Sequence, residues 1–353
     1  MTKMLSPFET EIKLSADPVM LAELRLHPLL RGEDRVSTLV TTYYDTVGGK
    51  LRRGGASLRL RMEGDRREQT LKLAPGGKAS VRRNEWNAEA AGDQPDSSAF
   101  PPAAQTVLIR LLDGGLLEPV ATTTVERTAR RVHCGASVVD VAFDLGTVSA
   151  GLRESPVCEL ELELVEGKLA DMLGLACQLP LGPDLTWSVR SKAERSHELA
   201  YDLAPSALRA EALKIPAGTH VAAGFQIIAW SCLTHLLANY PLVIASGDTE
   251  AVHQSRVSIR RLRAAFSLFG DVIDDRKLPV LRAELKAVAS ALGPARDLDV
   301  LVRQVAEANR NGADGAGLWV HLDDLREAAV QSAQKMLSTG EFQRLLFELA
   351  LWI

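Results

Sequence analysis

The sequence predicts two domains, an antiparallel sheet or barrel followed by an all-helical bundle. Three observations carry this reading. The chain has 353 residues, enough for two separate cores. Its hydrophobic period is two up to about residue 200, in short alternating runs separated by Gly, Pro, Asn and Asp. Beyond the connector "DLAPSALRAEALKIPAG" the period becomes that of a helix and almost nothing strand-like remains. The division is set at residues 1–203 for the sheet, 204–217 for the linker and 218–353 for the helical part.

Composition narrows the function classes. Apolar residues make up 46% and charged residues 24%, as in a globular protein. The net charge of -4 argues against bulk nucleic-acid binding, so a polyanion partner must be held by a local cluster of cations. Cys134, Cys158, Cys177 and Cys232 show no CxxC or metal-finger spacing, which fits reduced thiols in a cytoplasm. No apolar stretch of signal-peptide length opens the chain, and a cytoplasmic location is expected. The segment Ala217–Gly247 has no Lys, Arg, Asp or Glu, yet Gln226, His235, Asn239 and Pro241 interrupt it. A buried helix is expected there rather than a membrane span.

Taken in order, the elements begin with "FETEIKLS", whose alternation places Glu9, Glu11 and Lys13 on one face of a strand. Asp17 and Pro18 read as the cap and first-turn residue of a helix reaching Leu26, and a second helix is expected near Ala104–Leu112. "ASLRLRM", "EQTLKLA", "VRRNEWNAE", "SVVDVAFDLG" and "CELELELVEG" are the further strands. Their polar faces carry clusters of one sign: Arg59 with Arg61, Lys72, Arg83 with Glu85, Asp140 with Asp144, and Glu159 with Glu161 and Glu163. Any one of these strands could be the wet side of an open sheet. The whole set reads better as a cavity that pairs opposite charges across an interior. Its natural ligands are a polyanion for the cations and a divalent ion for the carboxylates, with grouped hard oxygens suiting Mg²⁺ or Mn²⁺. No Walker-type loop occurs: "GGK" at Gly48–Lys50 and Gly76–Lys78 lacks the following Ser or Thr. No Ser/His/Asp or Cys/His arrangement can be ordered from the sequence, and Ser57 reads as structural.

"ETEIK", "LRLR", "TLK", "RNEWN", "FDLG", "CELELEL" and "SKAER", in that order over roughly residues 5–200, resemble the CYTH superfamily, the triphosphate tunnel metalloenzymes. The similarity is greatest to the bacterial inorganic triphosphatase branch. The resemblance implies a tunnel of eight antiparallel strands with Mg²⁺ or Mn²⁺ as cofactor. It implies catalytic roles for Lys13, Glu9 and Glu11, with Glu9 and Glu11 on the metal side and Lys13 contacting phosphate or helping to deprotonate the attacking water. Arg59, Arg61, Lys72, Arg83, Arg127 and Lys192 would clamp phosphates, and Asp144, Glu159 and Glu161 would complete the metal site. Glu85, Asp140 and Glu163 share the inward parity as secondary candidates. In "TTTVERTARRVH" the choice among Arg127, Arg130 and Arg131 stays open.

In the helical part, "TEAVHQSRVSIRRLRAAFSLFG" is the strongest helix. At about 100° per residue, His253, Arg256, Arg260 and Arg263 form one stripe, with Ile259, Leu262, Phe266 and Phe269 opposite. No acid is interleaved to relieve the repulsion, which suits an anion of repeated phosphates better than a solvated face. A second helix over Pro279–Leu292 offers Arg282 and Lys286, and "GPARDLDVL" follows with Arg296. "VHQSRVSIRRLR" with "ALGPARDLDVL" resembles the CHAD domain, a helical module whose family binds inorganic polyphosphate. The chain stops at Ile353 without a second "HxxR" helix, so the first half of such a module is expected. His220 and His235 are expected to be ordinary core or surface residues.

The function expected is metal-dependent hydrolysis of inorganic triphosphate to pyrophosphate and phosphate, with a tethered helical domain for inorganic polyphosphate. No nucleic-acid or membrane partner is expected. The alternatives are an adenylate cyclase or thiamine triphosphatase of the same family, which would need a base or thiazolium pocket in a chain with only 5% aromatics. A non-catalytic polyphosphate-binding module is the remaining one. The acidic strands argue against it, because carboxylates repel phosphate and make sense chiefly as metal ligands.

Overall fold

A computed structural model describes residues 10–73, 84–273, 275–308 and 316–353. In chain order its elements are β1 (Glu11–Ala16), α1 (Pro18–Leu26), β2 (Arg35–Asp45), α2 (Lys50–Arg53), β3 (Ala56–Glu63), β4 (Arg66–Leu73), β5 (Asn84–Glu89), α3 (Pro102–Leu112), β6 (Glu118–Cys134), β7 (Ser137–Ala150), β8 (Arg153–Glu166), α4 (Leu169–Cys177), β9 (Leu185–Ser188) and α5 (Lys192–Ala200). Five helices follow: α6 (Val221–Ser246), α7 (Thr249–Leu268), α8 (Leu278–Ala308), α9 (Ala316–Leu337) and α10 (Gly340–Trp352). The chain divides into two compact units. One holds Met1–Leu175 with Trp187–Ala204, the other Ala176–Thr186 with Pro205–Ile353.

In the first unit the strands lie in the order β5-β4-β3-β2-β6-β7-β8-β1-β9. Every pairing from β5 to β1 is antiparallel. The sequence resemblance implied eight strands; the described residues form nine, the count including the four-residue β9. Curvature is evident from the charges. Arg61 on β3 and Glu161 on β8 act on each other electrostatically, although four strand spacings of a flat sheet, roughly 19 Å, would separate them. The sheet therefore curls around an interior, and its period of two sends ionic residues to the concave face and apolar ones outward.

The apolar core accordingly lies outside the tunnel. Leu58, Leu60 and Leu71 alternate with the inward cations and pack with Tyr44, Leu51, Phe100 and with Ala104 and Leu108 of α3. Leu14, Leu160 and Leu162 are fully buried on the same outward parity. α1 begins where the sequence placed it, the Asp17 side chain accepting the Met20 N–H at 2.7 Å with Pro18 in the first turn. Arg130 also belongs to this structural layer. Its Nη1 donates to the carbonyls of Arg25 (2.6 Å) and Leu30 (2.9 Å), its Nε pairs with Asp34, and its guanidinium lies 5.1 Å from the Phe143 ring.

In the second unit α6 runs through Pro241 and is long and apolar enough to cross a membrane by length and composition, but eleven of its residues are buried within the fold. The polar interruptions have a structural task. Asn239 accepts the Leu208 N–H at 2.9 Å and donates to the Leu208 carbonyl at 3.0 Å, and His235 Nε2 lies 2.8 Å from the same carbonyl. Both backbone groups of one connector residue are thereby satisfied by buried side chains. α8 differs from expectation: it continues through Gly293 and Pro294 to Ala308 rather than ending at Leu292. α7 approaches closely just before this proline. Arg256 Nη1 donates to the Ala289 carbonyl at 3.3 Å, and a Cβ on Gly293 would sit 3.1 Å from that nitrogen.

Candidate active site

Strand register builds the site in rungs. Ser15, Glu159, Asp144 and Arg127 lie opposite one another across β1, β8, β7 and β6; Lys13 faces Glu161; and Glu11, Glu163, Asp140 and Arg131 form the next rung. Gly146, which ends "FDLG", lets β6 and β7 approach here, since a Cβ would fall 2.0 Å from the Thr124 carbonyl oxygen. Asp144, Glu159 and Glu161 converge so that one oxygen from each lies within 4.8 Å of the others. Asp144 is wholly buried and Glu159 3% exposed.

Four cations meet these acids. Lys192 Nζ lies 2.6 Å from Asp144 Oδ2 and 2.9 Å from Glu161 Oε1, and it also bonds Glu159. Arg127 donates through Nε and Nη2 to the two oxygens of Asp144 at 2.7 and 2.5 Å, and through Nη2 to Glu161 at 2.5 Å. Lys13 Nζ is 2.5 Å from Glu11 and 3.3 Å from Glu161. Arg195 pairs with the second oxygen of Glu159. Lys192 and Arg195 come from α5, which starts on a capping box: Ser191 Oγ accepts the Glu194 N–H at 3.1 Å and Glu194 accepts the Ser191 N–H at 2.8 Å.

The electrostatics follow from this packing. Burial opposes the Lys192 ammonium, but Glu161, Glu159 and Asp144 outweigh it and hold its pKa above the ordinary lysine value. Burial likewise opposes the Lys13 charge, and Glu11, Glu161 and Glu159 raise its pKa in net. Glu161 is held well below the usual carboxylate range: burial works against its charge, while Lys192, Lys13 and Arg127 stabilise it.

The β3–β5 wall is different in sign. Arg59, Arg61 and Lys72 project inward there, and Glu85 lies among them, 2.7 Å from Lys72 and 4.0 Å from Arg59. The Arg61 guanidinium is pushed down to about 10 by Arg59, by burial and by Arg127, and its buried Nε has no hydrogen-bond partner among the described residues. A cation crowded by cations is a place where an anion would relieve repulsion.

Among the sequence candidates, the structure thus brings Lys13, Glu11, Arg127, Asp144, Glu159, Glu161 and Lys192 into one cluster, with Arg59, Arg61 and Lys72 on the facing wall. Glu9 and Arg83 lie outside the described residues. Among the three arginines left open on β6, Arg127 faces the acids, Arg130 faces the outer layer, and Arg131 pairs with Asp140 at 2.8 Å in the more exposed rung. Glu85 stands with the cations, apart from the acid trio. Arg195 was missed, although its position three residues after Lys192 within "SKAER" puts both on one helical face.

In the helical unit, Arg260, Arg263, Arg282 and Lys286 line a cavity of about 560 Å³ between α7 and α8. His253 lies on the same band: burial and then Arg296, Arg260 and Arg256 push its pKa down. Two members also have backbone partners, Arg256 at Ala289 and Arg282 at the Phe266 carbonyl (2.6 Å).

The chain thus joins an antiparallel sheet curled around paired buried charges to a helical unit with a cationic cavity. The chain belongs to the CYTH domain family, whose model matches residues 7–196, more than half of the sequence. Residues 227–353 match the model of the CHAD domain. An inorganic triphosphatase of Haemophilus influenzae is 31% identical over 201 residues, which cover 54% of each chain, so this chain spans about half the length of that relative. A solved CHAD domain from the plant Ricinus communis is 32% identical over 42% of this chain and 50% of its own, with a TM-score of 0.38. A putative adenylyl cyclase from Hippeastrum, described as having a dominant triphosphatase activity, is 20% identical over 54% of this chain and 96% of its own, with a TM-score of 0.37.

Proposed function

We propose that the sheet unit hydrolyses inorganic triphosphate to pyrophosphate and phosphate with a divalent ion. The observation that carries this reading is Arg61. It is a half-buried cation repelled by Arg59 and Arg127 on the wall facing three clustered carboxylates. That wall suits the anionic chain, and the carboxylates suit an ion: they offer hard oxygen donors within 4.8 Å of one another. Asp144, Glu159 and Glu161 would hold Mg²⁺ or Mn²⁺, with Glu11 and Glu9 on the same side. The ion supplies charge neutralisation at the phosphate oxygens and a water of lowered pKa. Arg59, Arg61, Lys72, Arg83 and Arg127 clamp the phosphates, cancelling the charge that repels a nucleophile and stabilising the spread charge of the transition state. Lys13, 2.5 Å from Glu11 and 3.3 Å from Glu161, serves as a phosphate contact or helps to deprotonate the attacking water. Lys192 serves as a further cation.

The helical unit is proposed to bind inorganic polyphosphate along His253, Arg256, Arg260, Arg263, Arg282, Lys286 and Arg296. The support is the cationic cavity, which has two arginines exposed to solvent, Arg260 and Arg263. The decisive experiment is a panel of triphosphate, ATP, thiamine triphosphate and long-chain polyphosphate, each with and without Mg²⁺ or Mn²⁺. Metal-dependent release of phosphate from triphosphate above the other substrates is expected. Equal turnover in excess chelator, or preferred turnover of ATP or thiamine triphosphate, would overturn the reading.

A further inference from the structure

Among the described residues, the acid cluster is electrically balanced by the chain itself. Glu11, Asp144, Glu159 and Glu161 supply four negative charges, and Lys13, Arg127, Lys192 and Arg195 supply four positive ones, each within ion-pair distance of a member of the other set. A divalent ion entering alone would meet carboxylates that are already compensated. The three acids closest together share one partner, the Lys192 ammonium, whose nitrogen bonds all of them. That position is where an ion held by the same three carboxylates would have its charge.

We propose that Lys192 is a displaceable counter-ion for the metal site, which couples binding of the divalent ion to binding of the triphosphate. The inference rests on the function proposed above. The side chains differ in how they can respond. Arg127 is fixed by a two-pronged bond to Asp144, and Arg195 by Glu159 at the next turn of α5. Lys192 is a point charge on a flexible four-carbon stem at the first position of α5, so its head can leave the carboxylates with no movement of the helix. A triphosphate provides the destination: phosphate oxygens draw the ammonium off, and the vacated carboxylates gain a divalent ion in its place. The chain keeps its buried acids compensated in both states, avoiding the cost of an unpaired buried charge. Thermodynamic reciprocity then requires each ligand to strengthen the other by the same factor.

The test uses the full chain and Mn²⁺ as the probe, followed by loss of the free-ion paramagnetic resonance signal in the absence of any phosphate. Wild type should bind Mn²⁺ weakly, Lys192→Met at least tenfold more tightly, and Lys192→Arg, which keeps the charge, like wild type. If Lys192→Met does not fold by circular dichroism, Lys192→Gln takes its place. Calorimetry with the non-hydrolysable imidotriphosphate, corrected for its own Mn²⁺ complex, should show Mn²⁺ strengthening anion binding in wild type and a smaller factor in the neutral variant. Mn²⁺ affinity equal to or weaker than wild type in the neutral variant would overturn the proposal. Failure of wild type to release phosphate from triphosphate would remove the hydrolase reading instead, since the titration without phosphate does not depend on turnover.

Discussion

Substituting Glu161 by Gln isolates the pivot of the acid cluster. Its carboxylate lies 2.5 Å from Arg127, 2.9 Å from Lys192 and 3.3 Å from Lys13. At an effective dielectric near 20, each such pair is a gross attraction of about 5 kcal/mol, offset by the desolvation of both ions. What remains when one partner of a buried pair is neutralised is a loss of about 3–5 kcal/mol, reduced here because Gln keeps one acceptor oxygen and the cations keep other partners. A loss of about 1–3 kcal/mol is therefore expected for the sheet unit. The pH dependence gives the sharper signature. The folded-state pKa of Glu161 is depressed, so its contribution is fully present above the ordinary glutamate pKa and is lost as pH falls through the folded value. Urea denaturation of wild type and Glu161→Gln should show a gap at neutral pH that narrows below the ordinary glutamate range. A gap that stays constant from neutral to strongly acidic pH, or no gap at all, would refute the electrostatic account. Phosphate release should collapse in the same variant if the metal reading holds.

Four further outcomes are expected. Arg61→Gln should weaken triphosphate binding while leaving the anion-free protein equally or more stable, by roughly 1–3 kcal/mol, because it removes a cation crowded by Arg59 and Arg127; raised KM with lowered stability would contradict this. The repulsion among Arg59, Arg61 and Arg127 is screened by salt, so the stability advantage of Arg61→Gln should shrink as ionic strength rises. In the helical unit, the triple change Arg260→Ala, Arg263→Ala and Lys286→Ala should reduce polyphosphate binding and flatten its salt dependence, read by titration at several ionic strengths. Asn239→Ala should destabilise the helical unit by about 1–3 kcal/mol by orphaning the Leu208 N–H, whose carbonyl keeps His235, seen as faster amide exchange in the connector.

The inward ladder was legible because a strand's period of two survives any packing: "EIK" and "CELELEL" fix which side chains share a face before their partners are known. Register was the hidden quantity. That Asp144 stands between Glu159 and Arg127 follows from the pairing of β6, β7 and β8, which no single strand encodes. The ambiguity among Arg127, Arg130 and Arg131 had the same origin. Parity excludes Arg130 from the Arg127 face only once that face is known to point inward, and depth along the strand then separates Arg127 from Arg131. Glu85 shows the limit of sign-based reasoning: it shares the inward parity, but the strand order places β5 beyond β4 and β3, on the cationic wall. In the helical unit the stripe on α7 was readable from a single helix. The continuation of α8 through Pro294 was not, since a proline within a helical pattern reads as a stop.

The two units arrange their cations differently, and under the proposed function the difference bears on which of them would turn a substrate over. In the helical unit the cavity lining contains four cations and no carboxylate, an arrangement that attracts a phosphate chain and offers no way to polarise one of its bonds. Among the described residues of the sheet unit the cations around the acid trio are matched by acids, which weakens simple attraction, whereas Arg61 is crowded by other cations. A site evolved for capture alone would gain affinity by losing Asp144, Glu159 and Glu161. Their presence makes sense if affinity is given up in exchange for control over where charge sits during reaction. The same logic yields a direct comparison. Neutralising the acid trio should raise the affinity of the sheet unit for triphosphate in the absence of divalent ions while abolishing phosphate release in their presence. Loss of affinity in both conditions would mean that the acids serve only to hold Arg127 and Lys192 in place.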